Sequence, residues 1–130
     1  MEKYMINHII NTLEIVADLM NNGLTSNGLY EADEVFKYKD QECTVIVSMG
    51  MVSFEGKMGL MANICITCNK TGNKYECVDV VVSKTPEFGM GMLINNLLAS
   101  EYNVSSPLSY DLIQKINSGF DVCYHEYNLS

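Results

Sequence analysis

The chain contains no arginine: its eight basic residues are all lysine, set against sixteen acids, for a formal charge of −8. Bidentate recognition of phosphate, carboxylate or guanine leans on the guanidinium fork, and an acidic surface repels a phosphate backbone. The expectation is that the chain does not bind nucleic acid directly. Nor does any apolar run approach the roughly 18 residues of a membrane helix, so no membrane association is expected. The N-terminal stretch is interrupted at helical spacing by Asn7, His8, Asn11, Glu14 and Asp18, and reads as part of the fold rather than as a signal peptide. Cysteine is present but lacks the regular spacing of a secreted disulfide framework. Cys43, Cys65, Cys68, Cys77 and Cys123 form an odd set, which favours reduced thiols in a cytoplasmic protein. Imidazoles are scarce, only His8 and His125, and no Ser, Cys or acid stands beside either in a recognisable pattern. The acids are scattered singly, so no catalytic residue is nominated.

What remains is an ordinary globular composition, 48% apolar over 130 residues, which sets the expectation of one α+β domain spanning 1–130. The first helix is predicted from Lys3 to Asn21, closed by Asn22-Gly23. Ile6, Ile9, Ile10, Leu13, Val16, Ala17 and Met20 form one apolar stripe. Tyr4, Ile15 and Leu19 add a second patch, with His8 beside it. A surface so wide is either wedged between two layers of one subunit or shared with another. Tyr4, His8, Ile15 and Leu19 are accordingly the expected interface of a homo-oligomer, a two-fold dimer first. Residues Leu24 to Glu34, rich in Gly, Asn and Ser, read as a loop before a short strand from Val35 to Lys39.

Cys43 to Phe54 and Lys57 to Cys68 flank Glu55-Gly56, and a two-residue turn there pairs residues whose numbers sum to 111. Val45 then meets Ile66, Val47 meets Ile64, Met49 meets Ala62, Met51 meets Leu60 and Cys43 meets Cys68, so one hairpin face is wholly apolar. A three-residue turn at Thr71-Gly72-Asn73, with Asn73 left-handed, brings Val78, Val80 and Val82 to the same face. On the other face Ser48 lies opposite Asn63 and Cys65 near Asp79. Ser48, Asn63 and Asp79, with Ile46, Val52, Met61 and Val81 around them, are the candidate ligand-binding residues, the alternatives being an interface or a partly solvated face.

After the meander, Thr85 and Pro86 predict a helix start, with Met90, Leu93, Ile94 and Leu97 inward as far as about Glu101. A short helix capped by Ser106 or Ser109 and ending near Gly119 follows, then a last strand from Phe120 to Leu129.

Cys65-Ile66-Thr67-Cys68, with Cys77, Cys123 and His125 elsewhere, raises the question of zinc. Residues three apart in a strand point to opposite faces and cannot converge on one ion, so neither metal nor cofactor is expected. The segment Pro86-Glu87-Phe88-Gly89-Met90-Gly91, following a strand and opening a helix, resembles the acyl-CoA pyrophosphate loop of the GNAT acetyltransferases, although the family's leading Gln or Arg is replaced near Pro86. That resemblance implies a compact acyltransferase. In its outline of elements alone the chain also resembles bacterial secretion chaperones. The leading expectation is a non-enzymatic, homo-oligomeric binding protein of chaperone, adaptor or inhibitor type that engages another protein. A phage or mobile-element inhibitor that presents carboxylates to a host protein's basic groove is one form of it. A small-molecule or nucleotide binder is the second expectation.

Overall fold

The computed structural model describes residues 3–23 and 27–128, apart from the side chains of Lys3, Tyr4, Tyr127 and Asn128. Helix α1 (Lys3–Asn22) leads into strands β1 (Leu29–Tyr38), β2 (Gln41–Phe54), β3 (Lys57–Cys68) and β4 (Lys74–Val82), followed by helices α2 (Met90–Tyr102) and α3 (Tyr110–Asn128). The strands form one antiparallel meander in the order β1-β2-β3-β4. This is the α+β architecture that the patterning predicts, without the C-terminal strand.

The β2–β3 register is the expected one throughout, from Cys43 opposite Cys68 to Phe54 opposite Lys57. Glu55 and Gly56 both take positive φ, 50° and 78°, the geometry that matches the twist of a two-residue hairpin. The alternation of Cys43, Val45, Val47 and Met49 with the half-buried Thr44, Ile46 and Ser48 does the rest: a slip of one residue would turn this whole apolar set to solvent.

Four expectations need correction. The first strand begins at Leu29, not Val35, and runs through a segment expected as loop; Lys39 and Asp40, with φ of 48° and 63°, make a second tight hairpin that lacks the usual glycine. In the β3–β4 connection the left-handed residue is Gly72 (φ 75°) rather than Asn73. The loop spans residues 69–73, and a bulge at Ile66/Thr67 shifts the pairing, so that Cys65 faces Cys77 and Asn63 faces Asp79. The displacement is an even number of residues, which is why Val78, Val80 and Val82 still share the inner face with Ile64, Ala62 and Leu60.

Thr85 and Pro86 do not open α2. They belong to a turn closed by Gly89 N–H donating to the Pro86 carbonyl at 2.9 Å, and the helix begins after Gly89. Finally, α3 continues through Gly119 to Asn128, where a strand was expected. Leu112, Ile113, Ile116, Phe120 and Cys123 recur at helical spacing and are all buried, and Ser109 caps the start by accepting from Leu112 N–H at 3.1 Å.

Helix α1 lies on β1 and β2 with α3 beside it, and α2 packs on α3. Lys115 pairs with Asp18 at 3.0 Å, and Asn21 donates to the Lys115 carbonyl at 3.0 Å across the α1–α3 contact. The described helices thus gather over one face and one half of the sheet. Ile64 and Ile66 of β3 are buried, whereas Val78, Val80 and Val82 of β4 are only half-buried. The opposite face has no helix of the described residues against it.

Tyr102, at the end of α2, is 5% exposed, and its hydroxyl has no hydrogen-bond partner among the described residues. Burial, with a smaller contribution from the Glu101 charge, pushes its phenol up from 10 to about 12. A folded-state value above the unfolded one means that the neutral phenol is favoured by folding, so this stability is complete below pH 10 and is lost as pH rises through about 12. Tyr102→Phe should therefore flatten the alkaline limb of a urea-stability profile. Near neutral pH it should change stability by less than about 1 kcal/mol, because the hydroxyl it deletes is unpartnered. An unchanged alkaline limb would refute the assignment.

Candidate functional site

The uncovered outer face of the sheet is organised in cross-strand rows set by the register. One row is Glu31, Ser48, Asn63 and Asp79; the next is Asp33, Ile46, Cys65 and Cys77; on its other side lie Leu29, Gly50, Met61 and Val81. The three residues nominated from sequence, Ser48, Asn63 and Asp79, therefore stand side by side on adjacent strands. Ser48 Oγ donates to Glu31 Oε2 at 3.0 Å, and the Asn63 amide nitrogen lies 3.9 Å from Cys77 Sγ. Glu31 is not among those three because the Gly-, Asn- and Ser-rich stretch that leads into it carries a loop signal. With Asp33 and Asp79 it makes the middle of the face acidic, while Ile46, Val52 and Met61 supply half-buried aliphatic area and Val81 is exposed. Such a surface can bury apolar side chains and meet cations, but it offers no base, nucleophile and electrophile in mutual reach.

The cysteines separate by face. Cys65 and Cys77 are joined as a disulfide on the outer face, which corrects the expectation that all five thiols are reduced. Cys43, Cys68 and Cys123 are free and buried. Cys68 lies across from Cys43 on the inner face, so Cys65 and Cys68 do point apart. Its thiol is pushed down to about 7, first by the Thr71 hydroxyl and amide and then by the Lys70 amide and the Tyr75 hydroxyl, against the opposing effect of burial. Burial, together with the Cys68 charge, pushes the Cys43 thiol up. Among the described residues no three His, Cys, Asp or Glu side chains are grouped to hold a metal ion.

The expected interface residues on α1 are not equivalent. His8 bonds through Nδ1 to Glu34 Oε2 and stacks on Phe36 with centroids 4.3 Å apart, so it ties α1 to β1 within the chain. Leu19 packs against the core, and Ile15 is 47% exposed. The Tyr4 side chain lies outside the described residues.

The glycines of the Pro86–Gly91 segment serve a helix–helix contact between the start of α2 and α3. A Cβ on Gly91 would stand 2.3 Å from the Ile113 carbonyl oxygen, and the Gly91 N–H donates to Asn117 Oδ1 at 2.7 Å. A recess of about 320 Å³ beside it is lined by Glu87, Phe88, Gln114 and Asp121 among others. Two further, more apolar recesses lie at the sheet end. One of about 280 Å³ is lined by Phe54, Met58 and Val81, and one of about 350 Å³ by Met51, Met58, Leu60, Lys84 and Tyr124.

No described helix is long and apolar enough to cross a membrane. Compared with known proteins, the chain matches no family model, no curated protein and no solved structure.

Proposed function

We propose that the chain is a non-enzymatic binding protein that pairs with a second copy of itself and takes a protein partner, in the manner of a small chaperone, adaptor or inhibitor. The observation that supports this reading is the outer face of the sheet. Four adjacent strands present Ile46, Met61 and Val81 beside Glu31, Asp33 and Asp79, with none of the described helices over them. Apolar area gives an interface its affinity, and carboxylates around it select a basic surface and speed encounter with it. A net charge of −8 adds to that steering, and an inhibitor occupying the basic groove of a nucleic-acid-binding protein is the form this charge suits best.

The other readings draw less support. Ser48, Asn63 and Asp79 stand in one row across an open sheet, whereas small molecules are held in concavities, and the recesses lie elsewhere. An acyl-CoA pyrophosphate at the start of α2 would compete with Asn117 for the Gly91 amide and would face Glu87.

Sedimentation of the purified chain at micromolar concentration tests the self-pairing. The wild type is expected to run as a dimer and Ile46→Lys as a monomer with an unchanged melting temperature, because a lysine on the open face costs nothing in the folded subunit but must be desolvated at a contact. Ile15→Glu is expected to stay dimeric. A monomeric wild type removes the self-pairing, and a dimer split by Ile15→Glu alone would move the contact to α1.

A further inference from the structure

Cys65 and Cys77 differ from the other three cysteines in both pairing and access. They lie directly opposite on β3 and β4 with Cα atoms 4.3 Å apart, the spacing of a closely approaching cross-strand pair. Ladder pairs flank them on both sides, Ile64 with Val78 and Ile66 with Glu76, so the strands are held together independently of the sulfurs. Both project from the face that no described helix covers, Cys77 exposed and Cys65 half-buried, whereas Cys43, Cys68 and Cys123 sit in the core. Two sulfurs that remain neighbours in either oxidation state, at a surface a small molecule can reach, meet the requirements of exchange without unfolding.

We propose that Cys65 and Cys77 form a reversible thiol–disulfide couple that exchanges with low-molecular-weight thiols and disulfides of the glutathione class while the sheet stays folded. In the reducing direction a small thiolate attacks the more exposed Cys77 sulfur. The Cys65–Cys77 bond breaks, and its electron pair leaves on the Cys65 sulfur, which takes a proton from water. A second small thiolate then attacks the small-molecule sulfur of the mixed disulfide, and Cys77 departs as a thiolate and is protonated. Two small thiols become one small disulfide, and the protein gains two electrons and two protons. Oxidation is the reverse, with the small disulfide as the oxidant. The Asn63 amide, 3.9 Å from Cys77 Sγ, is placed to donate to the departing thiolate. Cys65 stands opposite Ile46, the residue at which the proposed self-pairing is tested, so the exchange belongs to the unpaired face and is measured on Ile46→Lys as well as on the wild type.

The test is equilibration of the full chain with reduced and oxidised glutathione at a series of ratios without oxygen, followed by acid quench, alkylation and peptide mass mapping. Cys65 and Cys77 should gain and lose alkylation together along one two-electron curve, with the far-ultraviolet circular dichroism unchanged. In the reduced native protein they should be alkylated at least about tenfold faster than Cys43, Cys68 and Cys123, since access limits the buried thiols. Cys65→Ser should leave Cys77 as a stable mixed disulfide with glutathione. If that variant does not fold, the wild-type titration decides alone. The proposal is overturned if the two cysteines titrate independently, if they stay thiols in fully oxidised glutathione, or if the disulfide resists reduction until denaturant is added.

Discussion

Phe120→Ala is expected to destabilise the protein by about 3–5 kcal/mol in urea denaturation with an unchanged m-value, a large share of the stability of a domain of this size. The ring is 2% exposed and is among the largest fully buried side chains in the core. It belongs to α3, which contacts both α1 and β2, so the space it leaves opens where those elements meet. Its surroundings cannot collapse easily. A Cβ on the adjacent Gly119 would stand 2.9 Å from Met20 Cβ, so the two helices are already at close approach, and Cys123 one turn on is held toward the Gly28 carbonyl at 3.5 Å. A loss below about 1 kcal/mol would mean that the second half of α3 does not pack on the sheet as described.

The second large effect is expected at Gly50. Its φ of 146° lies where side chains are strained, and an added Cβ would fall 2.0 Å from the Gly28 carbonyl oxygen. That atom is backbone and accepts from Met51 N–H at 2.9 Å, so it cannot swing aside without opening the start of the β1–β2 ladder. Gly50→Ala should cost about 2–6 kcal/mol, combining strained backbone and overpacking of about 1–3 kcal/mol each. Gly56→Ala is the matched control. Gly56 also has positive φ, 78°, but open space around its Cβ position, so only the conformational part applies, about 1 kcal/mol. Equal losses in thermal melts of the two variants would show that the Gly28 contact does not limit Gly50.

The difference between what could and could not be read beforehand follows the range of the interactions involved. The β2–β3 hairpin was legible because Glu55-Gly56 and the alternating apolar residues on both sides carry the same instruction within two dozen positions. The β1–β2 turn carries a weaker signal: Asp40 tolerates left-handed backbone, but Lys39 does so rarely and no glycine marks the place. The segment after Gly119 was ambiguous because Phe120, Val122, Cys123 and Tyr124 fit a short strand as well as a helical turn. It is helix because Phe120 and Cys123 continue the stripe of Leu112 and Ile116 onto the sheet. Of the candidate site, Ser48 opposite Asn63 came directly from the hairpin register, whereas Glu31 and the Cys65–Cys77 pair did not.

The amino-acid sequence by itself determined the α+β class, the first helix, the central register and the division of the meander into an apolar inner face and a mixed outer one, because side-chain period and turn chemistry act locally. Only the tertiary structure decided which half of the sheet the helices cover and which outer-face residues stand in one row. The first depends on how α1, α2 and α3 pack on one another, through contacts such as Gly91 against Ile113 and Gly119 against Met20. The second depends on the longer 69–73 loop together with the one-residue bulge at Ile66/Thr67, which combine to an even displacement that leaves every side chain on its expected face while giving each a new neighbour, and so is invisible to any pattern of alternation.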